Sequence, residues 1–195
     1  RGIVHSELTQ PEARGAAGGA VIHGIQTWVA LPREHEEIEP SFEHHPAPTL
    51  PEIHAAGATM RLIAGAAYGR QAPTAVFSPM FYLAATLHEA ALVELPDEYA
   101  ERAVYVAEGA IEVDGTRHEV GAMIVFAVGE RAVLRSVTAA RVMLLGGAPV
   151  DGQRHIWWNF VSSSLERIER AKVDWRDERF AVVPGDAERI PLPER

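Results

Sequence analysis

Apolar and polar positions alternate through most of the stretch from Ala58 to Leu145, which is the period of strands that bury one face. The alternation predicts strands at 58–64, 79–87, 91–95, 101–108, 110–113, 118–120, 123–128, 132–136 and 141–145. Between them stand Glu108-Gly109, Asp114-Gly115, Gly121 and Gly146-Gly147, the turn chemistry of short antiparallel hairpins. In the hairpin arm 110–116, Ile111 and Val113 share one face and Glu112 and Asp114 the other, so one side is wet. Many short strands with glycine-bearing turns predict an all-β sandwich or small barrel.

The flanks read differently. Residues 1–7 (Arg-Gly-Ile-Val-His-Ser-Glu) form an extended pattern that puts His5 and Glu7 on one face. Leu8 to Gly19 is rich in Glu, Ala and Gly and predicts a solvated loop. A second strand is expected across Val21 to Leu31, closed by Pro32, with His23, Ile25 and Thr27 on one face and Gln26 and Trp28 on the other. From Pro32 to Pro51 repeated prolines predict an irregular connection and no helix. Near the end, Ser163 followed by Glu166 has the spacing of a capping box. It opens a helix whose apolar stripe is Leu165, Ile168, Ala171 and Trp175. Beyond it, Pro184-Gly185 and Pro191-Leu192-Pro193 predict a terminal arm.

Composition narrows the function. At 195 residues and 47 % hydrophobic content, the chain can bury one large core or two small ones. A net charge of −9, from 18 basic and 27 acidic residues, argues against direct nucleic-acid contact and an anionic membrane surface. With no cysteine there is no thiol nucleophile, and any metal must be held by His, carboxylate or water. No run approaches the roughly 20 apolar residues of a membrane span, and this composition suits the cytoplasm. The first residue is not Met, and strand-like residues from position 2 onward suggest that the natural chain begins earlier.

His5 and Glu7 are the candidate metal ligands, because an imidazole and a carboxylate on one side of a strand can converge on a divalent ion. Two donors do not make a site, which ordinarily takes three or four. With 9 His and 27 acids in 195 residues, a His-x-acid spacing arises about once by chance, so spacing alone favours an ordinary polar strand end over a metal pair. His23 is a third imidazole for the same face, or one satisfied by a neighbouring carbonyl. His44 and His45 are adjacent and on an extended chain would point apart.

Several segments together resemble the pirin family. They are Gly2-Ile3-Val4-His5-Ser6-Glu7, the run from His23-Gly24-Ile25-Gln26-Thr27-Trp28 to Pro32, and Pro79-Met80-Phe81-Tyr82-Leu83 with the hairpin ending Gly109-Ala110-Ile111-Glu112-Val113. The fourth is His155-Ile156-Trp157-Trp158-Asn159-Phe160-Val161-Ser162-Ser163-Ser164, with Glu166-Arg167-Ile168-Glu169 behind it.

The resemblance implies an all-β bicupin. It would comprise an incomplete N-terminal cupin barrel and linker (1–55), a complete C-terminal cupin-like barrel without metal (56–160), and a C-terminal helix and tail (161–195). It implies Fe(II) or another divalent metal held by three His and one Glu, of which His5 and Glu7 are two. The other two lie in a His-x-His that precedes them in the family and is not in this sequence. The implied activity is a metal-dependent dioxygenase on flavonols such as quercetin, with Glu7 accepting the substrate's hydroxyl proton. The alternative is a non-catalytic transcriptional co-regulator or protein-interaction module. The implied partner is therefore a small aromatic, flavonol-like substrate or another protein.

Overall fold

The computed structural model describes residues 2–7, 23–186 and 188–193. It divides into two compact units, one made of residues 1–41 with 150–195 and the other of residues 42–149.

The alternation seen in the sequence builds the second unit. Its strands are β1 (Glu52–Ala55), β2 (Ala58–Ala67), β3 (Arg70–Gln71), β4 (Met80–Leu87), β5 (Leu92–Glu94), β6 (Glu101–Glu108), β7 (Ala110–Val113), β8 (Thr116–Glu119), β9 (Met123–Phe126), β10 (Val133–Ser136) and β11 (Ala140–Gly147). They form a seven-stranded sheet in the order β1-β2-β4-β11-β6-β9, with β3 on β2, and a four-stranded sheet in the order β5-β10-β7-β8. All pairings are antiparallel, and one apolar core is common to both sheets. This is the cupin-like all-β architecture expected of that stretch. The strands β1 and β3 had no signal in the sequence, since 52–55 carries one apolar side chain larger than Ala and 70–71 none.

Register lines the core up row by row. Leu62 stands opposite Leu83, Leu83 opposite Leu144, and Leu144 opposite Val104, and all four are fully buried. Burying each leucine contributes about 1.5–3 kcal/mol over leaving it exposed. Polar groups that enter this interior find backbone partners. The Ser136 hydroxyl donates to the His88 carbonyl and the Arg102 guanidinium to that of Glu130.

Pairing between β2 and β4 shifts register between Leu62 and Ala64, and the extra residue is taken up beside Gly65 at φ +75°. A Cβ there would collide with the Met80 carbonyl. Gly115, also at φ +75°, has open space around it.

In the first unit the expectation of two further strands fails. Residues 2–7 and 23–31 enter no strand, and Val21 and Ile22 lie outside the described residues. A strand exists only through a partner, and among the described residues no segment pairs with either. Burial shows the same thing, because neighbouring Trp28 and Val29 are about equally exposed, at 50 and 53 %. The connection after Pro32 is irregular, broken only by single 3-10 turns at Arg33–His35 and Ala47–Thr49.

Among the described residues, the strands and helix of this unit come from the other end of the chain. They are the hairpin β12 (His155–Trp157) with β13 (Phe160–Ser162), and the helix α1 (Leu165–Arg176). The helix cap is Ser164, whose hydroxyl accepts the Arg167 N–H at 3.3 Å, one residue later than the capping-box spacing predicted. Ser163 is otherwise engaged, its N–H and hydroxyl both donating to Glu36. The buried stripe is Ile168 and Ala171, while Leu165 stays 61 % exposed. Glu166 and Arg170 pair at 3.1 Å, as their i, i+4 spacing predicts. No helix among the described residues is long and apolar enough to cross a membrane.

Gly65→Ala combines backbone strain with collision, whereas Gly115→Ala carries strain alone. In urea unfolding followed by far-UV circular dichroism, the first should cost about 3 kcal/mol or more and the second about 1 kcal/mol. Equal costs would mean that the close approach to Met80 is not what demands glycine at 65.

A cleft in the first unit and the network that frames it

Distant parts of the chain meet in the first unit through a nearly buried ion pair. Arg154 and Glu36 retain 7 and 17 % side-chain exposure, with Nε and Oε1 at 3.0 Å. The Glu36 carboxylate also accepts the Ser163 N–H at 2.9 Å, the Ser163 hydroxyl at 3.0 Å and the Ser162 hydroxyl at 3.1 Å. Arg154 donates to the Leu31 carbonyl at 2.7 Å, to the Gly152 carbonyl at 2.9 Å and to Asp151. Asp151 in turn accepts the Arg33 N–H at 3.0 Å. Hydrogen bonding from Arg154, reinforced by that N–H, holds the Asp151 carboxyl below its usual value. Beside this group Glu37 takes two bonds from Arg167, at 2.6 and 3.3 Å. The Arg167 hydrogen bond is the main reason the Glu37 carboxyl lies below 4.5.

Next to the network is a chain of aromatic rings. Trp158 lies edge-on to Trp175 at 5.3 Å and to Phe160 at 5.5 Å. Phe180 stacks on Phe160 at 5.9 Å and meets Trp175 at 5.5 Å. Trp158 occupies the hairpin turn at φ +49°, a region that bulky residues rarely adopt. Its packing on both rings offsets the strain.

These elements enclose a cleft of about 740 Å³. Gly2 to Glu7 form one wall, Gln26 and Trp28 to Leu31 another, and the hairpin and helix a third, with Trp158, Phe160, Arg167, Ile168 and Trp175. Phe180, Val183, Asp186, Glu188, Arg189 and Ile190 complete the lining.

His5 and Glu7 both line this cleft, so the two candidate ligands open into one space although their segment is not a strand. His23 does not line it. His44 and His45 belong to the other unit, where His45 pairs with Glu43 at 3.1 Å. Among the described residues no group of three or more His, Cys, Asp or Glu could hold a metal ion. His5 and Glu7 have the right donor chemistry and fall short in number. Sequence reasoning missed Glu36, Arg154 and the indole of Trp158 as builders of this space. Glu36 sits in a run of acids that looks wholly solvated, and its partners are more than a hundred residues away.

Residues 82–181 match the family described as Pirin C-terminal cupin domain. A pirin-like protein of Caulobacter vibrioides is 49 % identical over 195 residues, covering 99 % of this chain and 66 % of the relative. Among solved structures, quercetin 2,3-dioxygenase from Acinetobacter baumannii superposes with a TM-score of 0.75 at 25 % identity, covering 86 % of this chain and 58 % of that one. The chain thus spans less than two thirds of the length of both proteins.

All four tryptophans lie in the first unit, so their fluorescence reports its unfolding. Glu36→Ala strands a buried guanidinium and should cost about 3–5 kcal/mol in that transition. A loss below 1 kcal/mol would show that the ion pair does not hold the unit. Because the folded Glu37 carboxyl lies below its ordinary value, its contribution is present above about pH 4.5 and lost as pH falls through the lowered value. Glu37→Gln should flatten that acid limb of the stability profile, and an unaltered limb would assign the loss to other carboxylates.

Proposed function

Because the chain belongs to the pirin family, we propose that its cleft serves a pirin-type dioxygenase acting on a flavonol-like substrate. One observation carries the reading: a histidine and a carboxylate open into the same 740 Å³ space as three indoles, those of Trp28, Trp158 and Trp175. That volume suits a fused-ring small molecule. The indole faces offer apolar contact to planar rings, and the Gln26 amide offers a donor and an acceptor to a hydroxyl or carbonyl. The solved relative titled quercetin 2,3-dioxygenase supports this substrate class.

In this reading His5 and Glu7 are two ligands of a divalent metal, and Fe(II) suits an imidazole–carboxylate donor set. A closed centre would need two further ligands, which would have to come from beyond the described residues. Bound there, the metal would supply Lewis acidity and a place for dioxygen to react. The chain's own contribution is to position the ring against the indoles, exclude water around it and take up its hydroxyl proton on the Glu7 carboxylate. The acidic net charge of −9 keeps nucleic acid out of the proposal.

The test uses the protein with the upstream segment of its family present, metal content measured, and quercetin absorbance followed in air. The expected result is one metal per chain, with steady loss of absorbance. His5→Ala should lower metal affinity at least tenfold. Glu7→Gln, in protein that still holds metal, should slow turnover by about a hundredfold. Metal without quercetin turnover would point instead to the non-catalytic co-regulator. Unchanged turnover in Glu7→Gln would remove the base role.

A further inference from the structure

We infer that the described residues of the arm, 180–186 and 188–190, are a strap across the cleft, fastened at Trp175, which must release for ligand to pass. The inference rests on the reading of the cleft as a ligand site. Beyond α1 the described residues of this arm form no helix or strand, so no ladder of backbone bonds holds it in place. Its attachments fall at two points. At the near end the Phe180 ring sits against Phe160 and Trp175 and so close to Gly2 that any Cβ there would strike it. At the far end the Trp175 indole N–H donates to the Ile190 carbonyl at 2.9 Å. There too the Arg189 guanidinium lies 4.8 Å from the centre of the same indole and donates to the Trp175 carbonyl. Glu178 steadies Arg189 at 3.6 Å.

Between these points the arm has little holding it. Val182 is 79 % exposed. Gly185, at φ +81° and with open space around it, turns the chain where Asp186 N–H reaches back to the Val183 carbonyl at 3.2 Å. Val183, Asp186 and Glu188 nevertheless border the cleft together with His5 and Glu7. A segment that borders a cavity, anchored at its ends and thinly packed in its middle, opens at low free-energy cost. The far anchor is one cation–π contact and two hydrogen bonds on a single residue, Trp175, so it can release as a unit while Phe180 acts as the hinge.

The fluorophores that report on the strap are already in place, since Trp28, Trp158 and Trp175 line the cleft and Trp157 is the only other tryptophan. In the full chain, Arg189→Ala should raise acrylamide quenching of tryptophan emission about twofold. It should speed both the association and the dissociation of quercetin, association by about tenfold. Arg189→Lys keeps the charge but not the planar stacking and should fall between the two. Phe180→Ala, which loosens the hinge end, should raise quenching independently of Arg189. Unchanged quenching in both Arg189→Ala and Phe180→Ala would overturn the strap. So would faster dissociation with association unchanged, which is the signature of a fixed wall that merely contacts the ligand. If the wild-type chain takes up no quercetin, the substrate assignment falls, and quenching alone decides the strap.

Discussion

The first unit depends on the charge pair of Glu36 and Arg154. Neither ion can be left alone in so little solvent, because the cost of stripping water from each exceeds what one pairing returns. The remaining cost is offset by the further bonds of the two groups: three hydroxyl or amide donors from Ser162 and Ser163 on the carboxylate, and the Leu31, Gly152 and Asp151 oxygens around the guanidinium. Of these partners all but one come from 151–163, and the exception, Leu31, lies at the end of the cleft wall that begins at Trp28. A hydrophobic contact could have joined the same segments, but it would have left their register free. The directional bonds of the carboxylate place Ser163, and with it the start of α1 one residue later.

That placement propagates to the cleft. Once α1 begins at Leu165, Ile168 and Ala171 face inward and Trp175 arrives three turns later beside Trp158 and Phe160. The rings then compensate for a backbone geometry that Trp158 would not adopt by itself. In this way a buried charge pair, a helix register and a strained turn act in series, and the indoles that line the space are their product.

The two units differ in how far they could be read from residue order. In 42–149 the signal sits within each strand: alternation marks β4 and β6 although both pair with the distant β11, and the turn residues carry their own signal in Asp114-Gly115 and Gly109. Alternation and glycine therefore marked nine of the eleven strands, and the two missed are those without an apolar pattern. In the first unit the deciding contacts are Glu36 with Ser163, Arg33 with Asp151 and Phe180 against Gly2, each across more than a hundred residues. No local period encodes such contacts. The hairpin 155–162 was missed for a related reason, because its turn is Trp158-Asn159, and a left-handed tryptophan is not a turn signal that propensity can supply. The run 21–31 misled in the opposite direction, since β-branched and aromatic residues state a preference for pairing that only a partner can realise. His5 and Glu7 could be picked out by family likeness, whereas the cleft they open into could not.

The proposed function assigns its chemistry to one unit, and the filling of the other is consistent with that. Along Leu62, Leu83, Leu144 and Val104 the interior of the second unit is aliphatic from strand to strand, and its buried Ser136 and Arg102 already donate to backbone carbonyls. Placing a metal ligand or a proton acceptor there would require breaking one of those bonds or desolvating a new polar group, at about 1–3 kcal/mol each. The first unit has already met that kind of cost at Glu36 and Arg154. In the proposed function it is this unit that brings His5, Glu7 and Gln26 to the lining of one cleft, where a polar substrate group and a departing proton would be accommodated.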